Sequence, residues 1–298
     1  MKILVIHSWG IGDLIMATPM LKSLHASGHT VDLALFTGAN KTILNENDFV
    51  RRIFLVSSKL DFLKFLWRYD ALVSTAGTNP KKVQFLAKLL GMKKVFCKAQ
   101  EKDIHRIEMN LQTVDELLTK KTKEPYIFID SDKTALIEKY IDKTGKNIGI
   151  CIGSGSKQKF KRWHGYKELL KKFEGNVLVF IGPDEVELEE EFAKENAVIV
   201  KESLENTIKL ISQLDLVVGN DNGLMHIAYA AKRDTVTIYG MTNEKETGGY
   251  YPNNKEVFLE MACRPCFDPA TDKVGCTTFD CLKDLSVEEV WETCQKFL

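Results

Sequence analysis

Leu216-Val217-Val218-Gly219-Asn220-Asp221-Asn222-Gly223-Leu224-Met225-His226-Ile227-Ala228-Tyr229-Ala230-Ala231 joins three patterns in one short stretch. The apolar run Leu216–Val218 predicts a buried strand, Gly219–Gly223 a tight polar turn, and Leu224–Ala231 a helix. Such a turn aims unpaired backbone N–H groups and the positive end of the helix dipole at whatever lies above the strand end, which suits an anion such as a phosphate. Asp221 cannot meet a phosphate, because like charges repel, so its natural partners are hydroxyls or a backbone N–H. His226 is expected to face the same opening from one turn into the helix. Ala228, Ala230 and Ala231 let the helix pack closely on a sheet. The same residues also read as an ordinary helix start capped by Asp221 or Asn222.

Outward from this stretch, strand and helix patterns alternate in two series. The first has strands at Ile3–Ile6, Val31–Phe36, Ile53–Val56, Ala71–Val73 and Val95–Phe96, with helices over Leu14–His25 and residues 104–120. Pro19 is expected to kink the first of these helices. The second series has strands at Ile148–Ile152, Val177–Ile181, Val198–Val200, Leu216–Val218 and Thr235–Tyr239, and helices near Tyr166–Phe173, Glu185–Asn196 and Leu204–Gln213. Ser286-Val287-Glu288-Glu289 is a capping box that starts a last helix. Alternation of this kind predicts an α/β chain of two Rossmann-like, doubly wound parallel-sheet domains, 1–145 and 146–298, facing a central cleft. The Gly10–Asp13 and Gly219–Gly223 turns both follow strands and should open onto that cleft.

Composition narrows the function classes. The 298 residues are 44% hydrophobic and 28% charged, and 41 basic side chains balance 41 acidic ones, so overall charge points to no nucleic-acid partner. No apolar run approaches the roughly 20 residues of a membrane span. The N-terminal segment enters a strand without a signal-peptide pattern, so a cytoplasmic protein is expected. Balance conceals a local excess: between Pro80 and Arg106 there are eight Lys or Arg and only Glu101 and Asp103 as acids. That suits an acidic acceptor or an anionic membrane surface, as well as simply solvated helix faces. Phe62–Trp67 could touch lipid or face a core. Cys263, Cys266, Cys276 and Cys281 are spaced C-x2-C-x9-C-x4-C, off the paired zinc pattern, and are expected to be thiols without a metal.

The chemistry-bearing residues cluster after strands. Gly10-Ile11-Gly12-Asp13 lacks the third glycine of a dinucleotide fingerprint, which argues against a Rossmann oxidoreductase, and Gly153–Lys157 is not a P-loop. Asp13 reads either as a general base at a cleft mouth or as a helix cap. Gly153–Trp163 offers glycines, the hydroxyls of Ser154 and Ser156, and the cations Lys157, Lys159, Lys161 and Arg162, a set fit for a diphosphate or for a solvated basic loop. Glu185, at the end of another strand, could accept ribose hydroxyls or cap a helix.

Together these motifs resemble the ADP-heptose:lipopolysaccharide heptosyltransferase family, on its inverting side. The resemblance rests on Gly12-Asp13 leading to Thr18-Pro19, on Lys161-Arg162-Trp163, on Gly182–Glu185, on Asp221–Ala228 and on the cysteine-bearing tail, and it covers nearly the whole chain. Asn222 departs from it, standing where the family usually has Ser or Thr. The resemblance implies a GT-B fold in which Asp13 deprotonates an acceptor hydroxyl that attacks and inverts the anomeric carbon. Lys161 would act with it, and Ser154, Ser156, Lys161, Asn222 and Gly223 would hold the diphosphate. Glu185 would take the ribose, and Asp221 and His226 would touch donor sugar or phosphate. Gly12, His105 and Arg106 would lie on the acceptor side. The implied partners are an ADP-sugar donor and an acidic lipopolysaccharide-core acceptor, with peripheral contact at the inner membrane and no cofactor. A nucleotide-sugar-binding protein without turnover is the rival reading, disfavoured by the pairing of Asp13 with Lys161.

Overall fold

Lys2–His7 is buried along nearly its whole length and apolar over Ile3–Ile6, because both of its faces are covered, as the middle strand of a parallel sheet requires. This strand, β1, is followed by β2 (Thr30–Leu35), β3 (Arg52–Leu55), β4 (Ala71–Ser74) and β5 (Lys94–Phe96), all paired in parallel in the order β3-β2-β1-β4-β5. The computed structural model describes residues 1–298 except 131, 133, 134, 156, 157, 194, 269, 270 and 272. The chain forms two units, Met1–Phe128 and Ile129–Leu298.

In the first unit, helix α1 (Ile11–Ala26) runs unbroken through Pro19. The proline leaves the Ile15 carbonyl without its usual N–H partner, and the Thr18 hydroxyl donates to it at 2.6 Å. Helix α2 (Pro80–Leu89) starts with Asn79 as cap and Pro80 in its first turn. The helix expected over 104–120 is shorter: α3 spans Arg106–Thr113 and stops at the β-branched pair Thr113-Val114, before a 3-10 turn at Asp115–Leu117.

The second unit begins earlier than position 146. Helix α4 (Ala135–Tyr140) belongs to it, because Tyr140 accepts from the Asn176 amide at 2.6 Å and donates to Glu202 at 3.0 Å, and Asp130 pairs with Lys209 at 2.7 Å. Then come β6 (Asn147–Cys151), α5 (Tyr166–Leu170), β7 (Asn176–Phe180), α6 (Glu189–Phe192), β8 (Val198–Val200), α7 (Leu204–Ile211), β9 (Leu216–Asn220), α8 (Gly223–Ala230), β10 (Asp234–Ile238), α9 (Glu244–Thr247) and β11 (Asn254–Val257). The sheet is parallel, in the order β11-β10-β9-β6-β7-β8. The helix expected over Glu185–Asn196 is cut to a 3-10 turn and the short α6, in a segment crowded with like-charged glutamates. β11 and a small antiparallel pair, β12 (Phe267–Asp268) with β13 (Lys273–Val274), lie outside the expected strands. Two short helices, α10 (Asp280–Lys283) and α11 (Val287–Cys294), close the chain, and the capping box of Ser286 and Glu289 starts α11 as expected.

Each sheet has one point at which the chain stops adding strands on one side and begins on the other. It lies between β1 and β4 in the first unit and between β6 and β9 in the second. At such a point two neighbouring strand ends lead their loops apart and open a crevice for ligands. Among the described residues no helix is long and apolar enough to cross a membrane.

Candidate active site

At the second unit's switch point, the loops after β6 and β9 are stapled by two asparagines, the buried Asn220 and the half-buried Asn222. Asn220 accepts from the Trp163 N–H at 3.0 Å and donates to the Ile152 carbonyl at 3.0 Å. Trp163 is further fixed by its indole N–H, which donates to the Leu285 carbonyl at 3.0 Å. Asn222 caps α8, its Oδ1 accepting from the N–H groups of Leu224 (2.9 Å) and Met225 (3.2 Å). Its Nδ2 donates to the carbonyls of Cys151 (3.1 Å) and Gly153 (2.7 Å), which engages both amide hydrogens inside the protein. The capping reading of this turn therefore holds for Asn222, and its side-chain amide has no hydrogen left over for a phosphate. Gly219 permits the close approach: a Cβ there would stand 2.7 Å from the Cys151 carbonyl oxygen.

Glu185 is buried, with its carboxylate against the backbones of Gly153 and Gly182. Its Oε1 accepts from the Ser154 N–H and from Arg162, both at 3.3 Å. It thus shapes the loop after β6 as well as standing in reach of a ligand there. Two donors at the same spot lack partners among the described residues: the Ser154 hydroxyl and Arg162 Nε, both buried. A buried donor without a partner carries a desolvation penalty that a bound anion would relieve. Gly155 holds a left-handed backbone, φ +75°, with open space beside it, a conformation that suits glycine and lets a ligand approach the main chain.

The cations of this loop are not all available. Lys159 (2.7 Å) and Arg162 (2.9 Å) both pair with Glu187, and their bonds, Lys159 first, pull its carboxyl down to about 2. The Lys161 ammonium stands 4.5 Å from the centre of the Phe267 ring. Ser156 and Lys157 lie outside the described residues. His226 is buried, not open as expected: its Nδ1 shares a 2.7 Å hydrogen bond with the Tyr250 hydroxyl, and its Nε2 is 3.9 Å from Asp221.

At the first unit's switch point, Gly12 and Asp13 lie in the opening turn of α1. Its N-cap is Gly10, no side chain caps it, and the Asp13 carboxylate is about a third exposed. Asp13 is therefore not spent on capping. Its Oδ1 is 3.7 Å from Nε of the buried Arg106, which has no hydrogen-bond partner for that nitrogen among the described residues. Arg106 is braced by Gln100 and by the Ala76 carbonyl at 3.4 Å, and Gly77 makes room for it: a Cβ there would stand 2.7 Å from Nη1. His105 caps α3, accepting from the Ile107 N–H at 3.2 Å, and so has a structural role the sequence did not suggest. Asn110 accepts from the Ala76 N–H (2.8 Å) and donates to the Met16 carbonyl (3.2 Å), which joins α3 to the β4 end and to α1.

His7 was not picked out from sequence. It is fully buried beneath this turn, with ring nitrogens 3.2 Å from the Thr75 hydroxyl and 3.3 Å from the Gly10 carbonyl. Burial holds its imidazole below the ordinary value, and nearby Asp13 opposes that only in part. A polar residue ending an otherwise apolar strand was the available signal.

The seven cysteines are free thiols. Cys266 and Cys276 flank the β12–β13 pair, and burial first, then Cys276, pushes the Cys266 thiol up to about 11. Among the described residues no group of three or more His, Cys, Asp or Glu is placed to hold a metal ion.

Residues 71–276 match the model of glycosyltransferase family 9 (heptosyltransferase). The chain belongs to this family. It is 27% identical over 325 aligned residues to lipooligosaccharide heptosyltransferase 2 of Campylobacter jejuni subsp. jejuni serotype O:6, with 99% of each chain covered. Its fold is that of the solved Escherichia coli ADP-heptose lipopolysaccharide heptosyltransferase II, with a TM-score of 0.76 at 19% identity over 100% of this chain and 98% of that one. The E. coli heptosyltransferase WaaC, solved with ADP, matches at a TM-score of 0.69 and 18% identity over 100% of both chains. This family 9 member is thus a glycosyltransferase of GT-B type. The matched segment contains the candidate donor residues Ser154–Lys161, Glu185 and Asp221–His226, while Asp13 precedes it.

Proposed function

We propose that this chain transfers heptose from an ADP-activated donor to a lipooligosaccharide or lipopolysaccharide core acceptor with inversion, Asp13 serving as general base. The donor is assigned to the switch point of the second unit. There the Ser154 hydroxyl, Arg162 Nε and the Gly223 amide would donate to the diphosphate, Lys161 would swing from Phe267 to neutralise the leaving ADP, and Glu185 would receive the ribose. Preformed donors of this kind stabilise charge as it grows on the leaving group. Asp221, backed by His226, is assigned to the sugar. Gly12 and Arg106 are assigned to the acceptor side, with Arg106 holding the Asp13 carboxylate in place. The lipid-borne acceptor places the working enzyme at the inner face of the cytoplasmic membrane as a peripheral protein.

The observation that carries this reading is Asp13 itself: a part-exposed carboxylate at a switch point, free of helix capping and flanked by a buried guanidinium. An acceptor hydroxyl needs its proton removed as the new bond forms, and a positioned base supplies about 10²–10⁴-fold in rate. Asp13→Asn should cut turnover by that order with ADP affinity and melting temperature nearly unchanged. Normal turnover in the folded variant would end the general-base assignment.

A further inference from the structure

Two segments cover the same face of the first unit's sheet. Phe65 and Tyr69, from the 3-10 turn Lys59–Phe65 and the residues after it, share one core with Val83, Ala87 and Leu90 of α2 and its end. In a 3-10 turn residues three apart lie on one side. Phe62 and Phe65 take the inner side, and Leu60 and Leu63, 74% and 59% exposed, take the outer one. The outer side of α2 repeats the pattern: Phe85 and Leu89 stand 65% and 58% exposed at i,i+4 spacing. Trp67 joins the two segments. Its N–H donates to the Leu90 carbonyl at 3.0 Å, its ring lies over Gly91, its backbone is left-handed at φ +52°, and its side chain is 79% exposed.

Single exposed apolar residues need no explanation, whereas a cluster of five on adjoining segments of one layer does. The charges around them are mostly positive. Lys81, Lys82 and Lys88 flank Phe85 and Leu89 on α2, and Lys93 and Lys94 follow Gly91, all exposed. From Ser57 to Phe96 the only acids are Asp61 and Asp70; Asp61 pairs with Lys64 at 2.6 Å, and Asp70 accepts from the Lys2 N–H at 2.7 Å.

We infer that this layer docks on an anionic lipid bilayer, with Leu60, Leu63, Trp67, Phe85 and Leu89 entering the interface and the lysines meeting the headgroups. Apolar and aromatic tips ringed by lysine are the chemistry of interfacial binding, in which apolar burial and attraction to anionic lipid add. A protein partner would gain from the apolar tips but needs its own acidic face to match the lysines, which a bilayer of anionic lipid supplies everywhere. The inference rests on the proposed membrane-borne acceptor and names the surface that would reach it.

Co-sedimentation of the full chain with phosphatidylcholine vesicles, with and without about one-third phosphatidylglycerol, tests it independently of turnover. Binding is expected to the anionic vesicles, to weaken with salt, and to fall about tenfold or more in Lys81→Glu/Lys82→Glu/Lys88→Glu and, separately, in Trp67→Ser/Phe85→Ser. Far-UV spectra and melting curves of these surface variants should match the parent. Turnover on a delipidated, soluble acceptor should survive both sets of changes, while turnover on vesicle-bound acceptor should drop. Loss of all turnover with vesicle binding intact would sink the transferase reading and leave the docking surface standing. Absence of binding to anionic vesicles, equal binding by parent and variants, or a dimer of the parent that the variants abolish would overturn the docking proposal.

Discussion

Asn222→Asp is the most informative change at the second unit's switch point, because it alters one atom type and leaves the shape. Asp is as good an N-cap as Asn, and its charge suits the positive end of α8, so a role in capping alone predicts stability equal to or above the parent's. The structure predicts the opposite. Nδ2 donates to the carbonyls of Cys151 and Gly153, and a carboxylate oxygen there would face two oxygens as an acceptor against acceptors. Two net hydrogen bonds at about 0.5–1.5 kcal/mol each set the loss at about 1–3 kcal/mol before repulsion is added. Asn222→Ala loses the cap as well, about 1 kcal/mol more, for a total of about 2–4 kcal/mol. Asn222→Ser keeps the cap and should lie between Ala and the parent. Urea unfolding followed by tryptophan fluorescence measures the loss, and hydrogen exchange of the peptide spanning residues 216–231 assigns it to this site. An Asn222→Asp protein as stable as the parent, with unchanged exchange in that peptide, would refute the clamp.

The buried His7 makes stability depend on pH in a defined direction. Its folded value lies below 6.5, so between the two values the unfolded chain binds a proton that the folded chain does not. Its contribution is fully present above 6.5 and lost as pH falls toward the folded value, by up to about 1.4 kcal/mol per pH unit. Melting curves of the parent and His7→Gln across this range test it; identical slopes would contradict it. Gly219→Ala places a Cβ 2.7 Å from the Cys151 carbonyl and 2.8 Å from Met225 Sδ, so it should cost about 1–3 kcal/mol by overpacking. Calorimetry checks that, and a cost under about 0.5 kcal/mol would mean the two strand ends separate easily.

The sheets were legible because buried parallel strands such as Leu4–Ile6 and Leu216–Val218 are apolar on both faces, a pattern that survives without tertiary information. β11 was not, since Asn254-Lys255-Glu256-Val257 sits at a sheet edge where polar residues are tolerated. The β12–β13 pair is too short to show a period. At the site, sequence pointed to loops that follow strands at the two switch points, but it did not show which side chains have partners inside the protein. Lys159 and Arg162 looked like free cations because their partner Glu187 comes 25 or more residues later. Lys161 rests on Phe267, more than 100 residues on. His105 and Asn222 looked like ligand contacts, yet both act as caps, a role fixed by backbone geometry that residue identity alone only suggests. His226 was aimed at the opening by its helical spacing, but Tyr250 closes over it from a later loop.

Pro19 has a consequence beyond its own helix. With no N–H at position 19, the Ile15 carbonyl claims the proton of the Thr18 hydroxyl, and a hydroxyl whose proton is committed keeps its lone pairs in a fixed direction. One of them accepts the Tyr126 N–H at 2.8 Å, two residues before the first unit ends at Phe128. The gap in the helical ladder thus serves as a mooring, fastening the departing chain to the middle of the first helix. A residue at 19 that restored the ladder would free the hydroxyl to rotate, so mending the helix would slacken the tether at the point where the chain leaves the unit.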